Sequence, residues 1–232
     1  MSPDLPDLDR DVAVQREVAR IALAGVDGFA LAGSGAIREH GMIDRPTEDI
    51  DLFTTTQDAA EFSAAVDQVT EQLRGSGFTV DQTRRAAQFA RLHVSTGDGR
   101  QLDVDLGVDW RQEDPVRLDV GPVLSLADAV GNKVSALYSR GEPRDYLDVD
   151  AIRRSGRFTD EQLVTDAAHR DPGFEVGMFA AQLASVRRLT ARDVRAYGVT
   201  ADELEGVKTR CLQWADALAR RGPADPDSGI ER

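Results

Sequence analysis

Residues 29–53 read FALAGSGAIREHGMIDRPTEDIDLF, and the reading of this stretch decides the fold. It divides into an apolar strand, a Gly33-Ser34-Gly35 turn, a short helix and a second strand bearing Asp49 and Asp51. Side chains alternate along a strand, so Asp49 and Asp51 share one face while Ile50 and Leu52 point into a core. Like charges side by side repel, and packing gives no reason to keep them together. A divalent cation removes that repulsion, and hard carboxylate oxygens suit Mg²⁺ or Mn²⁺. Two such ions about 3.5–4 Å apart activate an attacking hydroxyl and stabilise a leaving pyrophosphate. The glycine turn lets backbone N–H groups approach a phosphate, and the following helix adds the positive end of its dipole. Ser34 adds a hydroxyl donor. A phosphate cradle followed by a carboxylate pair points to phosphoryl or nucleotidyl transfer.

Neither half suffices alone. The D-x-D pattern recurs at Asp7/Asp9, Asp9/Asp11, Asp103/Asp105, Asp148/Asp150 and Asp225/Asp227, and most Gly-Ser-Gly tripeptides are ordinary turns. What sets residues 29–53 apart is the order of strand, glycine turn, helix and alternating carboxylates.

The run Arg45-Pro46-Thr47-Glu48-Asp49-Ile50-Asp51 resembles the nucleotidyltransferases of the DNA polymerase β superfamily, and most closely the AbiEii-type toxins of toxin–antitoxin systems. There a glycine-rich turn and a helix precede an Arg-x-Ser/Thr-x-Asp-Ile-Asp run. A second family-like block follows in the expected order: Lys133-Val134-Ser135-Ala136-Leu137, then Arg140, then Pro143-Arg144-Asp145-Tyr146-Leu147-Asp148. One departure is that the family's usual Gly-Gly-Thr turn is Gly-Ser-Gly here, although Ser34 matches the Gly-Ser turn of the wider superfamily. The resemblance implies an α+β fold, with a polymerase-β-like core of mixed sheet flanked by helices and a helical domain after it. It also implies an NTP co-substrate, with Gly33, Ser34, Arg45 and Lys133 binding the nucleotide. Asp148 becomes a functional residue by the same resemblance. Arg144 and Asp145 are carried over less directly, since Arg144 equally suits pairing with a nearby carboxylate at a helix end.

A third carboxylate usually comes from a neighbouring strand. Residues 100–108, RQLDVDLGV, alternate with Leu102, Val104 and Leu106 on one face and Asp103 and Asp105 on the other. Either aspartate can reach a metal; the family's Val/Leu-Asp-Leu pattern late in the strand favours Asp105. The competing reading is a solvated acidic face. Lys133 stands out because the chain has 28 lysines and arginines, of which only Lys133 and Lys208 are lysines. An ammonium retained inside a family-like block suggests a point charge set against a phosphate, for which arginine is no substitute. A plain surface helix lysine is the alternative. His40, His93 and His169 show no spacing that suggests a metal site or a triad. Arg84, Arg85 and Arg91 either face the same cleft and meet polyanions or form a plain charged strand.

The chain has 232 residues, enough for one large or two small domains. A helix over residues 8–24 opens it. A helix over 59–73 and strands over 78–80, 89–94 and 102–108 complete an α/β core at residues 1–115. Helices over 126–138 and 145–153, and two more opened by the capping boxes Thr159/Gln162 and Thr200/Glu203, make a helical domain at 116–222. Residues 223–232 read as a disordered tail. The lone Cys211 excludes an internal disulfide and fits a core position on the last helix's apolar stripe. With no signal-like or membrane-length apolar run, the sequence predicts a soluble, cytoplasmic protein without membrane partners.

The formal net charge of −13 argues against broad non-specific nucleic-acid binding, yet permits a local basic patch that accepts an RNA end. It also suits a basic antitoxin partner. The leading expectation is a Mg²⁺- (or Mn²⁺-) dependent nucleotidyltransferase, with Asp49, Asp51 and Asp105 as metal ligands and Asp105 helping to deprotonate the acceptor. By resemblance its role is that of a toxin acting on tRNA. Two competitors stand beside it: the same chemistry on a small aminoglycoside-like or protein acceptor, and a catalytically silent binding scaffold of the same fold.

Overall fold

A computed structural model describes residues 5–45, 47 and 49–221. Pro46 and Glu48 of the Arg45–Asp51 run, and the expected tail at 223–232, lie outside the described residues. The chain divides into two compact units, residues 1–129 and 130–232.

In the first unit, α1 (Leu5–Leu23), α2 (Gly33–Glu39) and α3 (Ala59–Gly75) accompany a mixed sheet. Its strands are β1 (Ala30–Leu31), β2 (Asp49–Thr54), β3 (Thr79–Ala86), β4 (Phe89–Ser95), β5 (Gln101–Val108), β6 (Val116–Leu118) and β7 (Gly121–Val123). They lie in the order β3-β4-β5-β2-β1-β7-β6. β3, β4 and β5 form an antiparallel meander; β2 runs parallel to β5 and antiparallel to β1, and β1 runs parallel to β7. A parallel β2/β5 pair needs a long connection, which α3 and the β3–β4 hairpin supply.

Alternation in the strands produces two unlike faces. Ile50, Leu52, Leu92, Val94, Val104 and Leu106 are buried, each contributing about 1.5–3 kcal/mol. α3 starts where Asp58 accepts from the N–H groups of Ala60 (2.7 Å) and Glu61 (3.0 Å). Its Phe62, Val66, Val69 and Leu73 are buried at helical spacing, and Phe62 packs 6.1 Å from Phe29. α1 packs on α3, β1 and β7.

In the first unit three features differ from the sequence reading. β3 continues to Ala86, because backbone pairing with β4 extends to Ala86↔Phe89 although Asp81 to Ala86 are exposed and lack apolar alternation. Residues 116–123 form two short strands, with β7 joined to β1 at Leu31↔Val123. They therefore belong to the sheet, and the division falls after Ala129 rather than at the expected 115/116. The Gly33-Ser34-Gly35 segment is the first turn of α2 itself: the Ala36 N–H donates to the Ala32 carbonyl at 2.9 Å.

The second unit is helical: the remainder of α4 (Leu126–Ser139), then α5 (Pro143–Arg154), α6 (Asp160–Arg170), α7 (Val176–Ala184), α8 (Ala191–Val194) and α9 (Ala201–Arg221). Both capping boxes form, Thr159 with Gln162 and Thr200 with Glu203. On α9, Leu204, Val207, Cys211, Trp214 and Leu218 are buried, and the helix packs on α7 and α5. The Phe179 and Trp214 rings meet edge to face at 5.1 Å. α7 is absent from the sequence reading because its N-cap, Glu175, makes no side-chain cap bond. Among the described residues no helix is long and apolar enough to cross a membrane.

Candidate active site

Register assembles the site. β2 against β5 sets Asp49 beside Asp103 and Asp51 beside Asp105. β4 against β5 sets His93 beside Asp103 and Arg91 beside Asp105, and β3 against β4 sets Arg84 beside Arg91. Paired residues in a sheet project to the same face, as do residues two apart. The polar face thus carries a row Arg84–Arg91–Asp105–Asp51 and, next to it, His93–Asp103–Asp49.

Asp49, Asp51 and Asp105 each place a carboxylate oxygen within 4.8 Å of the others. Asp103 is engaged elsewhere: its carboxylate lies 2.8 Å from His93 Nδ1 and 3.7 Å from an Arg91 nitrogen. Of the two aspartates on β5, Asp105 is the one whose oxygen lies in the group with the β2 pair. Arg91 grips it with a fork, Nε to Oδ1 and Nη2 to Oδ2, both at 2.6 Å. Those bonds hold the guanidinium pKa above its ordinary value, against a smaller opposing effect of burial. Three clustered carboxylates from rigid, adjacent strands are a hard donor set that fits Mg²⁺ or Mn²⁺.

Gly33 is explained by this cluster. Its φ is +56°, a conformation that L side chains rarely adopt. A Cβ there would lie 1.8 Å from Asp51 Oδ2. The Ala32 N–H also donates to the Asp51 carbonyl at 2.8 Å, so the start of α2 is fastened to β2 beside the carboxylate. Ser34, 5% exposed, accepts from Arg45 Nη2 at 3.4 Å.

Behind Asp49 stands a residue the sequence reading missed. Gln15 of α1 donates through Nε2 to the Thr47 carbonyl, and its Oε1 accepts from the Thr47 hydroxyl at 3.1 Å and from Arg38 at 2.6 Å. Thr47 Oγ1 also lies 2.9 Å from the Asp49 carbonyl. α1 thereby clamps the segment leading into β2. The signal in the sequence was a glutamine three and four positions before Val18 and Ala19 on the apolar face of α1, and the structure leaves it 6% exposed. His93 is a second residue whose partner only the register reveals, while His40 bonds the Leu124 carbonyl at 2.8 Å.

In the second unit, Lys133 Nζ lies 3.0 Å from Asp148 Oδ2, with side-chain exposures of 6% and 0%. Asp145 is gripped by Arg140 at 2.9 and 3.0 Å and accepts from the Glu142 N–H at 3.1 Å. Asp150 is gripped by Arg210 at 2.7 Å through both oxygens. Each buried aspartate of α5 thus has its own cation, as buried charge requires. Arg144 Nε lies 3.0 Å from Glu142 Oε2, a helix-end pairing. Cys211 is buried, and burial, with the Asp150 charge, pushes its thiol up to about 12. The sequence-predicted residues therefore fall into two groups: Gly33, Ser34, Arg45, Asp49, Asp51 and Asp105 in the first unit, and Lys133 and Asp148, paired, in the second.

A family model described as "Nucleotidyl transferase AbiEii toxin, Type IV TA system" matches residues 20–210. No curated protein sequence matches the chain. Among solved structures, JHP933 from Helicobacter pylori is similar with a TM-score of 0.58 at 15% identity, over 92% of this chain and 94% of that one. MenT4, a nucleotidyltransferase toxin from Mycobacterium tuberculosis, is similar with a TM-score of 0.53 at 16% identity, over 93% and 89%. At such identities the likeness is one of fold, and it is the expected α+β fold with a polymerase-β-like sheet core and helices after it.

Proposed function

The chain belongs to the AbiEii family of nucleotidyltransferase toxins and is a nucleotidyltransferase, and from that premise we propose that it transfers a nucleoside monophosphate from an NTP to tRNA in a Mg²⁺- or Mn²⁺-dependent reaction. The observation that carries this reading is the cluster of Asp49, Asp51 and Asp105 oxygens within 4.8 Å on one sheet face.

In nucleotidyl transfer the acceptor hydroxyl oxygen bonds to the α-phosphorus, the bond to the β-phosphate's bridging oxygen breaks, and pyrophosphate leaves. A bound divalent ion supplies charge neutralisation at the phosphates and a lowered pKa for the attacking hydroxyl. Asp49, Asp51 and Asp105 would hold it from strands whose register is already set, which limits the backbone reorganisation needed at the moment of reaction. Asp105, whose two oxygens Arg91 holds at 2.6 Å, helps to deprotonate the acceptor hydroxyl. Gly33 leaves the Asp51 carboxylate its space, and Ser34 with Arg45 offers polar contacts to the nucleotide. Lys133, paired with Asp148 in the second unit, is proposed as a nucleotide-binding residue on the family resemblance alone. The biological role is that of a cytoplasmic toxin held in check by a cognate antitoxin. The net charge of −13 favours a basic surface on that partner.

The same negative charge favours a second acceptor class, a cationic small molecule or a protein side chain. One experiment separates them. The protein, with Mg²⁺, is given each α-labelled NTP with total tRNA, or with no RNA, and Asp51→Asn runs alongside. Label on tRNA that disappears with the variant supports the proposal and names the donor. Label on protein, or none on RNA despite measurable NTP binding, refutes tRNA as acceptor. Full activity of Asp51→Asn refutes the metal-binding role of the cluster.

A further inference from the structure

One guanidinium takes both oxygens of Asp105. Arg91 Nε and Nη2 lie 2.6 Å from Oδ1 and Oδ2, and its remaining nitrogen is 3.7 Å from Asp103. Yet Asp105 also places an oxygen within 4.8 Å of oxygens on Asp49 and Asp51. A carboxylate has about four lone-pair sites. The fork uses one on each oxygen, so Asp105 faces two claims at once. Arg91 is also poorly placed for a merely packing role. Its side chain is 41% exposed, and its neighbour across the strand is another cation, Arg84, an arrangement that disfavours pairing. Compensation by the carboxylates is what makes a cation tolerable there.

We propose that Arg91 is a positioning residue that stands in for the cation of the metal-free site and competes with the divalent ion for Asp105. This rests on the reading of Asp49, Asp51 and Asp105 as metal ligands. In the metal-free protein the guanidinium holds Asp105 in place and offsets the clustered negative charge. When the ion binds, Arg91 gives up part of its hold, and its charge becomes available to the phosphates that arrive with the ion.

The proposal has a sign that simple bracing lacks. A residue that only supported Asp105 would weaken ion binding when removed. Removing a competitor strengthens it, and also deprives the metal-free cluster of one counter-charge. The test is Mn²⁺ titration, by calorimetry and by the spin-resonance signal of free Mn²⁺, of the full chain and of Arg91→Gln, Arg91→Lys and Asp51→Asn. Melting temperatures in EDTA and in Mn²⁺ are measured beside it. Arg91→Gln is expected to bind Mn²⁺ about tenfold more tightly, as loss of one unit charge beside a dication implies. It should melt lower than the unaltered protein in EDTA and gain more from Mn²⁺. Arg91→Lys, which keeps the charge and loses the fork, should fall between the two. Equal or weaker Mn²⁺ binding in both Arg91 variants, with Asp51→Asn deficient, overturns the competition while leaving the metal site intact. Absence of Mn²⁺ binding in the unaltered protein overturns the metal site itself, and the competition with it.

Discussion

Replacing Gly33 with alanine tests the link between backbone and carboxylate most directly. At φ +56° the added Cβ costs about 1–2 kcal/mol from its clash with the backbone alone. That Cβ would also lie 1.8 Å from Asp51 Oδ2, 2.7 Å from its Cγ and 3.2 Å from its Cβ. The carboxylate is the movable end of a short side chain, so it yields first, swinging away from Asp49 and Asp105. The expected result is a modest loss of stability, lowering Tm by about 2–8 °C in a domain of this size. Metal binding should suffer more, by at least about tenfold, the lower range for disturbing even an outer partner of a metal ligand. Chemical denaturation and Mn²⁺ titration of the same preparation read both effects. Asp51→Ala removes the clashing oxygens, so Gly33→Ala made in that background should cost only the backbone contribution. Unaltered Mn²⁺ affinity in Gly33→Ala, or the same stability cost in both backgrounds, would refute the steric argument.

Further expectations concern the rest of the molecule. Lys133→Met should destabilise the protein by about 3–5 kcal/mol, because Asp148 stays buried and charged without its ammonium; pairing it with Asp148→Leu should recover most of that in urea denaturation, and no recovery would argue against a charge effect. Lys133→Arg should keep the fold and lose transfer, and unchanged kinetics would remove Lys133 from the nucleotide site. Gln15→Ala should cost about 1–3 kcal/mol by removing the partners of buried Thr47 groups and lower kcat, which steady-state kinetics would show; full activity would make the clamp purely structural. Burial pushes both the Cys211 thiol and the Tyr146 hydroxyl up to about 12. Their raised folded-state values mean that this stability is fully present below the unfolded values, near 9 and 10, and is lost as pH rises toward 12. Melting curves should therefore drop between pH 9 and 12, and Cys211→Ala should flatten the lower part of that drop.

The sequence disclosed what has a short period. Asp49 and Asp51 were visible as a pair because strand side chains repeat every two residues, and Thr159 and Thr200 because caps are local. Between Asp103 and Asp105, strand periodicity gave no preference, and Asp105 was favoured only through the family's Val/Leu-Asp-Leu pattern. Both lie on one face of β5, and what distinguishes them in space is the register of β2 and β4 against it, with Asp51 and Asp105 paired 54 positions apart and Arg91 and Asp105 14 apart. The same holds for Arg91 and His93, whose partners sit across a strand boundary, and for Gln15, which reaches Thr47 from α1. β6 and β7 escaped because three residues are too few to display an alternation, and the outer half of β3 because arginines occupy it.

The two ends of the sheet are themselves protected. An edge strand with unpaired backbone groups is a template on which another chain can add. At one end β3 carries Arg84 and Arg85 and a register shift between Gln82 and Arg84; at the other, β6 has three residues. Charge and irregularity guard the first end and brevity the second, features that disfavour edge-to-edge strand addition. The arginines of β3 thus bear on solubility as well as on chemistry, and replacing them with β-branched apolar residues would expose an aggregation-prone rim without touching the carboxylates.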